Sequence, residues 1–173
     1  MLSGINVSLS TDFHSNQDNV KWNRQLIYTG PIDRFFNYQL GRLPYRTQIR
    51  TELFLAGQKY VFPCGQVNLP SPSEGRHVRT IEWRHMLEPG EGPDGGTLLT
   101  VETPVDARDW MEAEYPFPSK AAREHYDRYT VLAAEMPDVL FCGRLGEYRY
   151  LDMDQAIGRA MMLANRLLES VAS

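Results

Sequence analysis

The sequence has little of what marks several common classes of protein. Its 173 residues include two cysteines, Cys64 and Cys142, without C-x-x-C spacing, so we expect reduced, buried thiols rather than a metal or redox site. No apolar run approaches the ~20 residues that span a bilayer, and the N-terminus has no charged-then-apolar signal pattern. The formal net charge of -4 provides no basic footprint for nucleic acid. We therefore expect a cytoplasmic globular protein with no nucleic acid partner and no membrane insertion.

Familiar catalytic patterns are also missing. The four histidines lie in separate segments, without His–Asp–Ser, Cys–His or metal-ligand spacing, so we predict no metal site. The carboxylates form no evident acid/base pair, and Asp33, which follows a Gly-Pro turn, is typical of a turn or a helix start. A site built from the remaining residues would need a cofactor for difficult chemistry.

The sequence does contain a succession of short periodic segments. Alternation over Ile5, Val7 and Leu9 predicts a first strand that ends at residues 11–13. Ser119 is the predicted N-cap of a helix that Pro137 stops, and the last helix carries an apolar stripe that we assign to the core. The fold class is α+β, with a helix-backed antiparallel sheet. Further strands are predicted at 26–29, 47–55, 65–69, 78–86, 97–102 and 139–142, and helices at 32–36, 119–136 and 152–171.

Arginines, tyrosines and one asparagine carry the remaining chemistry. Arg46 and Arg79 lie on predicted strands and Asn68 lies on a third, and an arginine fork fits phosphate oxygens in pairs. Each one alone is more often a solvated strand residue or a salt-bridge partner, and this remains the favoured interpretation. Three such groups on neighbouring strands also allow the hypothesis of a diphosphate site. Tyr115, in a proline-stiffened segment, fits either a ligand contact or a ring packed down in a surface linker.

The segment 139–154 combines a strand, a glycine turn and the start of the last helix. Such a helix N-terminus has free N–H groups and a partial positive charge, where anions bind. The local pattern favours an ordinary strand-turn-helix corner. The polar aromatic and guanidinium groups within the turn favour a ligand site instead; these are Arg144, Tyr148, Arg149 and Tyr150.

Six segments, in order and at nearly the same spacing, resemble the flavin-dependent UDP-galactopyranose mutases. They are YTGPID (28–33), GRLPYR (41–46), VN (67–68), VRTIE (78–82), EYP (114–116) and GRLGEYRYLDMD (143–154). The resemblance covers essentially the whole chain but only the C-terminal half of the family. It implies an isomerase, of the intramolecular transferase class, that interconverts UDP-galactopyranose and UDP-galactofuranose for cell-envelope polysaccharide. Reduced FAD is the implied cofactor, with the flavin N5 as the nucleophile on the sugar's anomeric carbon.

The resemblance also implies substrate and catalytic residues. Arg79 would bind the diphosphate and shield its charge as the bond to the sugar breaks, and Arg46 would add positive field near the flavin and the substrate. Phosphate oxygens would accept hydrogen bonds from Asn68, Tyr115 and Tyr150.

A second group of residues would bind FAD. Asp12 and Phe13 would lie near its adenine side, and Arg144 would contact the cofactor. The isoalloxazine would rest against the start of the last helix, formed by Leu151, Asp152 and Met153.

The implied organisation has three segments. Residues 1–30 would be strand elements of an incomplete FAD-binding domain, residues 31–136 an antiparallel mutase-like sheet domain with a helix, and residues 137–173 a strand, turn and helix returning to the FAD-binding domain. The family's opening strand–helix unit with G-x-G-x-x-G is absent, so we expect catalysis only when an N-terminal half is supplied. Two alternatives stay open: a non-catalytic remnant that binds nucleotide sugar, and a self-associating protein such as a homodimer.

Overall fold

The contacts divide the chain into two compact units, one formed by its two ends and the other by its middle. The computed structural model describes residues 2–69, 71, 73, 75–88, 90–117 and 119–172. Unit 1 combines Met1–Leu43 with Pro118–Ser173, and unit 2 is Pro44–Phe117. The predicted segment 31–136 would have kept residues 31–43 and 118–136 with the sheet, whereas their contacts group them with the chain ends. The assignment of these parts to an FAD-binding and a mutase-like domain stays a prediction.

Helices and strands alternate irregularly along the chain, which confirms the α+β class. Short 3-10 helices cover His14–Asn19 and Trp83–Met86. In chain order the strands and α-helices of the described residues are β1 (Leu26–Tyr28), α1 (Ile32–Phe35), β2 (Tyr45–Ala56), β3 (Gln66–Asn68), β4 (Arg79–Glu82), β5 (Gly96–Asp106), β6 (Tyr115–Pro116), α2 (Lys120–Ala134), β7 (Val139–Phe141), α3 (Gly143–Gly146) and α4 (Met153–Ala172).

Unit 2 is built on a five-stranded antiparallel sheet with strand order β3-β4-β5-β2-β6. The strands predicted at 47–55, 65–69 and 97–102 are confirmed. Strand β5 continues beyond the predicted end to Asp106 and passes through Pro104. Proline fits there because β4 pairs with β5 only as far as Glu102, so no ladder bond on that side needs an N–H. The short edge strand β6 was predicted only as an extended segment, since proline provides half of it.

The predicted strand 78–86 is shorter than expected, because the chain turns into a 3-10 helix after Glu82. The Glu82 carboxylate has 0% exposure and accepts hydrogen bonds from Val61 N at 2.9 Å, Phe62 N at 2.9 Å and Thr97 Oγ1 at 2.8 Å. Burial raises the pKa of Glu82, but these hydrogen bonds outweigh it and hold the pKa below its usual range. This acid therefore ties the loop after β2 to the sheet.

Unit 1 contains the parallel pair β1–β7, which confirms the strands predicted at 26–29 and 139–142. Aromatic side chains surround this pair, and Tyr28, Phe35 and Val139 form the buried cluster at its centre. The predicted N-cap is also confirmed: the Ser119 hydroxyl accepts a hydrogen bond from Ala122 N at 3.1 Å. Helix α2 then buries Ala122, Tyr126 and Tyr129 on one face.

The prediction of a strand from the alternation of Ile5, Val7 and Leu9 is wrong. Residues 5–9 form no strand, and the Leu9 side chain is 82% exposed. Alternation alone does not make a strand, because a strand also needs a neighbour to accept its backbone hydrogen bonds. Residues 11–13 lead into the 3-10 helix instead.

Two burial predictions are also wrong. The helix predicted at 152–171 is present as α4, but its apolar stripe is not core, since Ile157 is 61% and Leu168 is 68% exposed. Amphipathic spacing predicts that a helix forms and does not say what covers its apolar face. Cys64 is exposed, with its thiol donating to the Gln66 carbonyl, whereas Cys142 is buried as predicted; both are free thiols.

Candidate functional site

The sheet register of unit 2 brings the predicted diphosphate ligands onto one face. Asn68 lies opposite Arg79, which lies opposite Glu102, which lies opposite Arg50. Directly paired residues point to the same side of a sheet, so these four side chains form a continuous row across β3, β4, β5 and β2. We call this side of the sheet, with Arg46 and Tyr115, the sheet face.

Glu102 is the centre of that row. Its side chain is 4% exposed and forms ion pairs with the guanidinium groups of Arg79 and Arg50, the latter at 3.2 Å. Arg50 also binds Glu114 at 2.9 Å, and this hydrogen bond raises the pKa of Arg50. Arg79 uses Nε and Nη2 on Glu102, which leaves its Nη1 without a partner among the residues that the structure describes. The buried acid therefore fixes the direction of two arginines.

Arg46 and Tyr115 occupy the far end of the sheet face. They lie opposite each other in β2 and β6, and Arg46 is on the same side of β2 as Arg50. The Arg46 guanidinium pairs with Asp106 at 3.2 Å and lies 4.7 Å from the centre of the Phe117 ring. The structure thus brings Asn68, Arg79, Arg46 and Tyr115 to one surface, with both arginines also in salt bridges.

Sequence reasoning missed the carboxylates of this surface. Glu102, Glu114 and Asp106 together balance the arginines opposite them, so the sheet face carries less net charge than its arginines alone suggest. The position of Glu102 on a strand was predictable, because this residue ends the strand predicted at 97–102. Only the register with Arg79 shows what it binds.

In unit 1, the segment 142–153 forms the predicted turn between β7 and α4; we call it the corner. Gly143 opens it with φ +81°, a conformation that favours glycine. At Gly146 a Cβ atom would lie 3.0 Å from the Tyr28 carbonyl oxygen, which leaves little room for a side chain. Cys142 N donates to the same carbonyl at 3.0 Å. Both strands of the parallel pair therefore hold the corner in place.

Arg144 is the main polar side chain inside the corner. Its Nε donates to the Leu151 carbonyl at 3.2 Å, and its guanidinium lies 4.9 Å from the centre of the Tyr150 ring. The Leu151 side chain is 3% exposed, so it packs inside unit 1. Tyr150 and Met153 are 60% and 84% exposed and lie at the surface. Of these predicted site residues, the exposed two are open to a ligand.

The N-terminus of α4 keeps hydrogen-bond donors open. Asp152 N donates to the Gln155 side chain at 3.1 Å, which is half of a capping box, and Ala156 N donates to the Asp152 carbonyl. Within the described part of the chain, the N–H groups of Met153, Asp154 and Gln155 have no acceptor. Together with the dipole of a 20-residue helix, they provide a positive potential at this end.

The other predicted cofactor residues have structural partners in unit 1. Asp12 binds Arg34 at 3.0 Å and accepts hydrogen bonds from Ser15, and the Arg34 hydrogen bond is the main reason that the pKa of Asp12 falls to about 2. The Phe13 ring stacks on Phe35 at 6.0 Å. Asp33 is buried in the first turn of α1 and accepts a hydrogen bond from Leu43 N at 2.9 Å, as expected of a helix-start residue.

Neither a metal-binding cluster nor a membrane-spanning helix is present among the described residues. No group of three or more His, Cys, Asp or Glu side chains in them is arranged to hold a metal ion. No helix among them has the length and apolarity required to cross a bilayer.

Comparison with known proteins decides the family. The family model described as "UDP-galactopyranose mutase" matches residues 1–150. This chain belongs to the UDP-galactopyranose mutase family. The match includes the sheet face and most of the corner, and it ends before Leu151.

Several relatives in the mutase family are 27–32% identical to this chain over the residues that align. A probable UDP-galactopyranose mutase of Klebsiella pneumoniae is 32% identical over 148 residues, which is 86% of this chain and 37% of the relative. The UDP-galactopyranose mutase of Mycoplasma pneumoniae is 29% identical over 151 residues, 84% of this chain and 37% of the relative. The dTDP-fucopyranose mutase of Escherichia coli is 27% identical over 146 residues, again 84% and 37%. The chain therefore spans well under half the length of these relatives.

Proposed function

We propose that this chain provides the diphosphate-binding surface and a flavin-contacting corner of a UDP-galactopyranose mutase. The observation that carries the proposal is the row of Asn68, Arg79, Glu102 and Arg50 across the sheet face. The reaction interconverts UDP-galactopyranose and UDP-galactofuranose, and we place it in the cytoplasm, ahead of cell-envelope polysaccharide synthesis. This proposal rests on family membership and on the arrangement of residues on the sheet face.

Arg79 is the proposed catalytic contact to the diphosphate. Breaking the bond between the sugar and UDP leaves negative charge on the diphosphate, and a fixed cation stabilises that charge more in the transition state than in the substrate. Glu102 positions Arg79 for this task. The open Nη1 of Arg79 is the donor available to a phosphate oxygen. Asn68 and Tyr115 would add neutral hydrogen bonds, and Arg46 a second positive group; Tyr150 would contribute from the corner.

The exposed part of the corner fits a flavin. An electron-rich ring edge suits the open N–H groups of Met153, Asp154 and Gln155 at the start of a long helix. Arg144, Tyr150, Asp152 and Met153 would hold FAD there, while the buried Leu151 would contribute through the backbone. When bound and reduced, FAD supplies the nucleophilic nitrogen for the anomeric carbon. Contacts of Asp12 and Phe13 with the adenine side remain part of the proposal.

The nucleotide of the substrate is the least constrained part of the proposal. Relatives of similar identity are named for UDP-galactopyranose and for dTDP-fucopyranose. We favour the UDP sugar because the family model and most of the named relatives carry that description. Titration of the chain with UDP and dTDP in parallel tests this choice, and tighter dTDP binding would reverse it.

Complementation tests the enzymatic proposal. The chain is co-expressed with the part of the Klebsiella pneumoniae relative that lies outside the match, and conversion of UDP-galactofuranose is followed under reducing conditions. We expect flavin absorbance and turnover in the purified complex. Arg79→Ala should lower turnover by about 100-fold or more. Arg108→Ala removes the same charge from an 85% exposed side chain in unit 2 and should leave turnover unchanged.

One outcome would contradict this proposal, and another would move the test to a second variant. A flavin-loaded complex that converts no nucleotide sugar would leave binding without catalysis, the alternative function. An Arg79→Ala variant that loses its circular dichroism spectrum would show that Arg79 supports the fold, and Arg79→Lys, which keeps the charge without the fork, would then carry the test.

Self-association is a second candidate role, and one observation favours it. Ile157, Met161 and Leu168 recur at helical spacing on α4 and are 61%, 62% and 68% exposed. Exposed apolar surface of this kind drives association between proteins. Light scattering of the purified chain tests this role, and a monomer that persists at high concentration contradicts it.

A further inference from the structure

A cleft in unit 1 borders the corner but is lined by residues to which the mutase proposal gives no role. It has a volume of about 660 Å³ and lies among α2, the segment that follows β7 and the middle of α4. Ligand pockets in proteins have volumes of about 300–1,000 Å³. The cleft is therefore large enough for a nucleotide-sized molecule. We call it the arginine cleft.

Arginines form most of its charged lining. Arg123 comes from α2, Arg149 from the corner, and Arg159 and Arg166 from α4, whereas Glu147 is the one carboxylate among the described lining residues. The chain as a whole has a formal net charge of -4. The cleft thus concentrates positive charge in a protein of the opposite sign, and concave walls strengthen such a local field.

Two of the four guanidinium groups are already neutralised. Arg159 forms an ion pair with Glu147, and Arg123 pairs with Asp127 at 3.2 Å. The guanidinium groups of Arg149 and Arg166 have neither an acidic partner nor a hydrogen-bond acceptor among the residues that the structure describes. Like charges around one cleft repel each other, and a bound anion would relieve that repulsion.

The floor of the cleft is apolar and aromatic. Tyr126 is 7% exposed and stacks on Tyr148 with ring centres 5.5 Å apart. Burial raises the pKa of Tyr126, so its phenol adds no negative charge at neutral pH. Phe141, Met162 and Leu163 complete the apolar lining. The cleft therefore combines a floor for an organic group with guanidinium groups for an anion.

We propose that the arginine cleft binds a phosphorylated small molecule, with Arg149 and Arg166 as its phosphate ligands. A guanidinium fork donates two parallel hydrogen bonds to phosphate oxygens, and such charge-assisted bonds are about twice as strong as neutral ones. The apolar floor selects phosphate esters that carry an organic group over inorganic phosphate. None of these residues is needed for the mutase proposal, so either proposal can fail alone.

Calorimetry and arginine side-chain NMR of the whole chain test this site. The probes are inorganic pyrophosphate, AMP and galactose 1-phosphate. We expect saturable binding that shifts the Nε–Hε signals of Arg149 and Arg166. The double variant Arg149→Ala/Arg166→Ala should weaken binding by about tenfold or more. Arg128→Ala, an exposed arginine of α2 outside the cleft, is the matched control and should bind normally.

The comparison of probes identifies the class of ligand. Tighter binding of AMP supports a nucleotide, and tighter binding of galactose 1-phosphate supports a sugar phosphate. Both side chains are exposed, so the alanine variant should fold; if it does not, Arg149→Lys/Arg166→Lys keeps the charge without the fork and should bind several-fold more weakly.

Three results would overturn the proposal. The first is the absence of saturable binding, or binding that leaves both arginine signals unmoved. The second is complete loss of binding in Arg79→Ala with normal binding in the double variant, which would assign the phosphate to the sheet face. The third is competition between FAD and the probes that the double variant abolishes, which would make the cleft part of the cofactor site.

Discussion

The sheet face of unit 2 and the corner of unit 1 both present arginines, but different groups fix them. On the sheet face, the buried Glu102 carboxylate binds Arg79 and Arg50. In the corner, Arg144 binds a backbone carbonyl and stacks on the Tyr150 ring. A carboxylate balances the charge that it orients, whereas a carbonyl oxygen orients the guanidinium and leaves its formal charge in place.

This difference separates two ways of building an anion site. Arg79 and Arg50 are matched by Glu102 and Glu114, so these four side chains add no formal net charge. The sheet face would then recognise a diphosphate through the direction of its donors more than through its field. In the corner, Arg144 is held by a backbone carbonyl beside open N–H groups at the start of a 20-residue helix, so the helix dipole contributes directly to the field there.

Glu102→Gln is the change with the largest expected effect. It removes the buried carboxylate and with it the charge-assisted hydrogen bonds from Arg79 and Arg50, which should lower the free energy of unfolding by about 3 kcal/mol. Loss of the carboxylate makes the net charge of the sheet face more positive, and this change alone would strengthen UDP binding. We expect the loss of Arg79 orientation to prevail, so that UDP binds about tenfold more weakly. Urea unfolding and UDP titration of the chain measure both effects.

The sign of the change in UDP affinity decides between the two explanations. Tighter UDP binding by Glu102→Gln would mean that net charge, not direction, controls the sheet face. Glu52→Gln is the matched control, since it removes the same charge from an exposed residue on the same side of β2 and should leave stability unchanged.

Arg144→Ala should have a smaller effect than Glu102→Gln. It removes the hydrogen bonds to the Leu151 carbonyl that hold the corner against the start of α4, which we expect to cost about 2 kcal/mol. Arg144→Lys keeps the charge but not the planar fork, and it should recover less than half of that loss. Urea unfolding of both variants measures this. A lysine variant as stable as the original chain would show that charge, rather than geometry, holds the corner.

Much of the sheet and part of the site could be predicted from the sequence, because local spacing encodes them. Alternation gave the main strands, and the Gly-rich turn before a periodic stretch gave the corner. Arg79 and Asn68 were predicted to converge because neighbouring strands pair. Their partner Glu102 was not predicted, since its role depends on which residue lies opposite it in the ladder.

Two of the wrong predictions share one physical cause, namely that periodicity describes a chain segment without its neighbours. Ile5, Val7 and Leu9 alternate as in a strand, yet no strand pairs with them within the described residues. The apolar stripe of α4 has helical spacing, yet Ile157 and Leu168 are exposed. Burial is a property of the packed unit, so spacing could not settle it in either segment.

The pair of Asp12 and Arg34 provides the smallest test of the comparison, because its carboxylate is 30% exposed, whereas that of Glu102 is 4% exposed. The hydrogen bond from Arg34 lowers the pKa of Asp12 to about 2. A lowered pKa means that the stabilisation is present above the ordinary value of about 3.9 and is lost as the pH falls towards 2. We expect NMR titration of the Asp12 carboxyl carbon to have its midpoint near 2, and Arg34→Gln to raise it. Added salt should also raise this midpoint slightly, since ions partly screen a pair that is not fully buried. A midpoint near 3.9 in the unmodified chain would show that the pair does not form in solution.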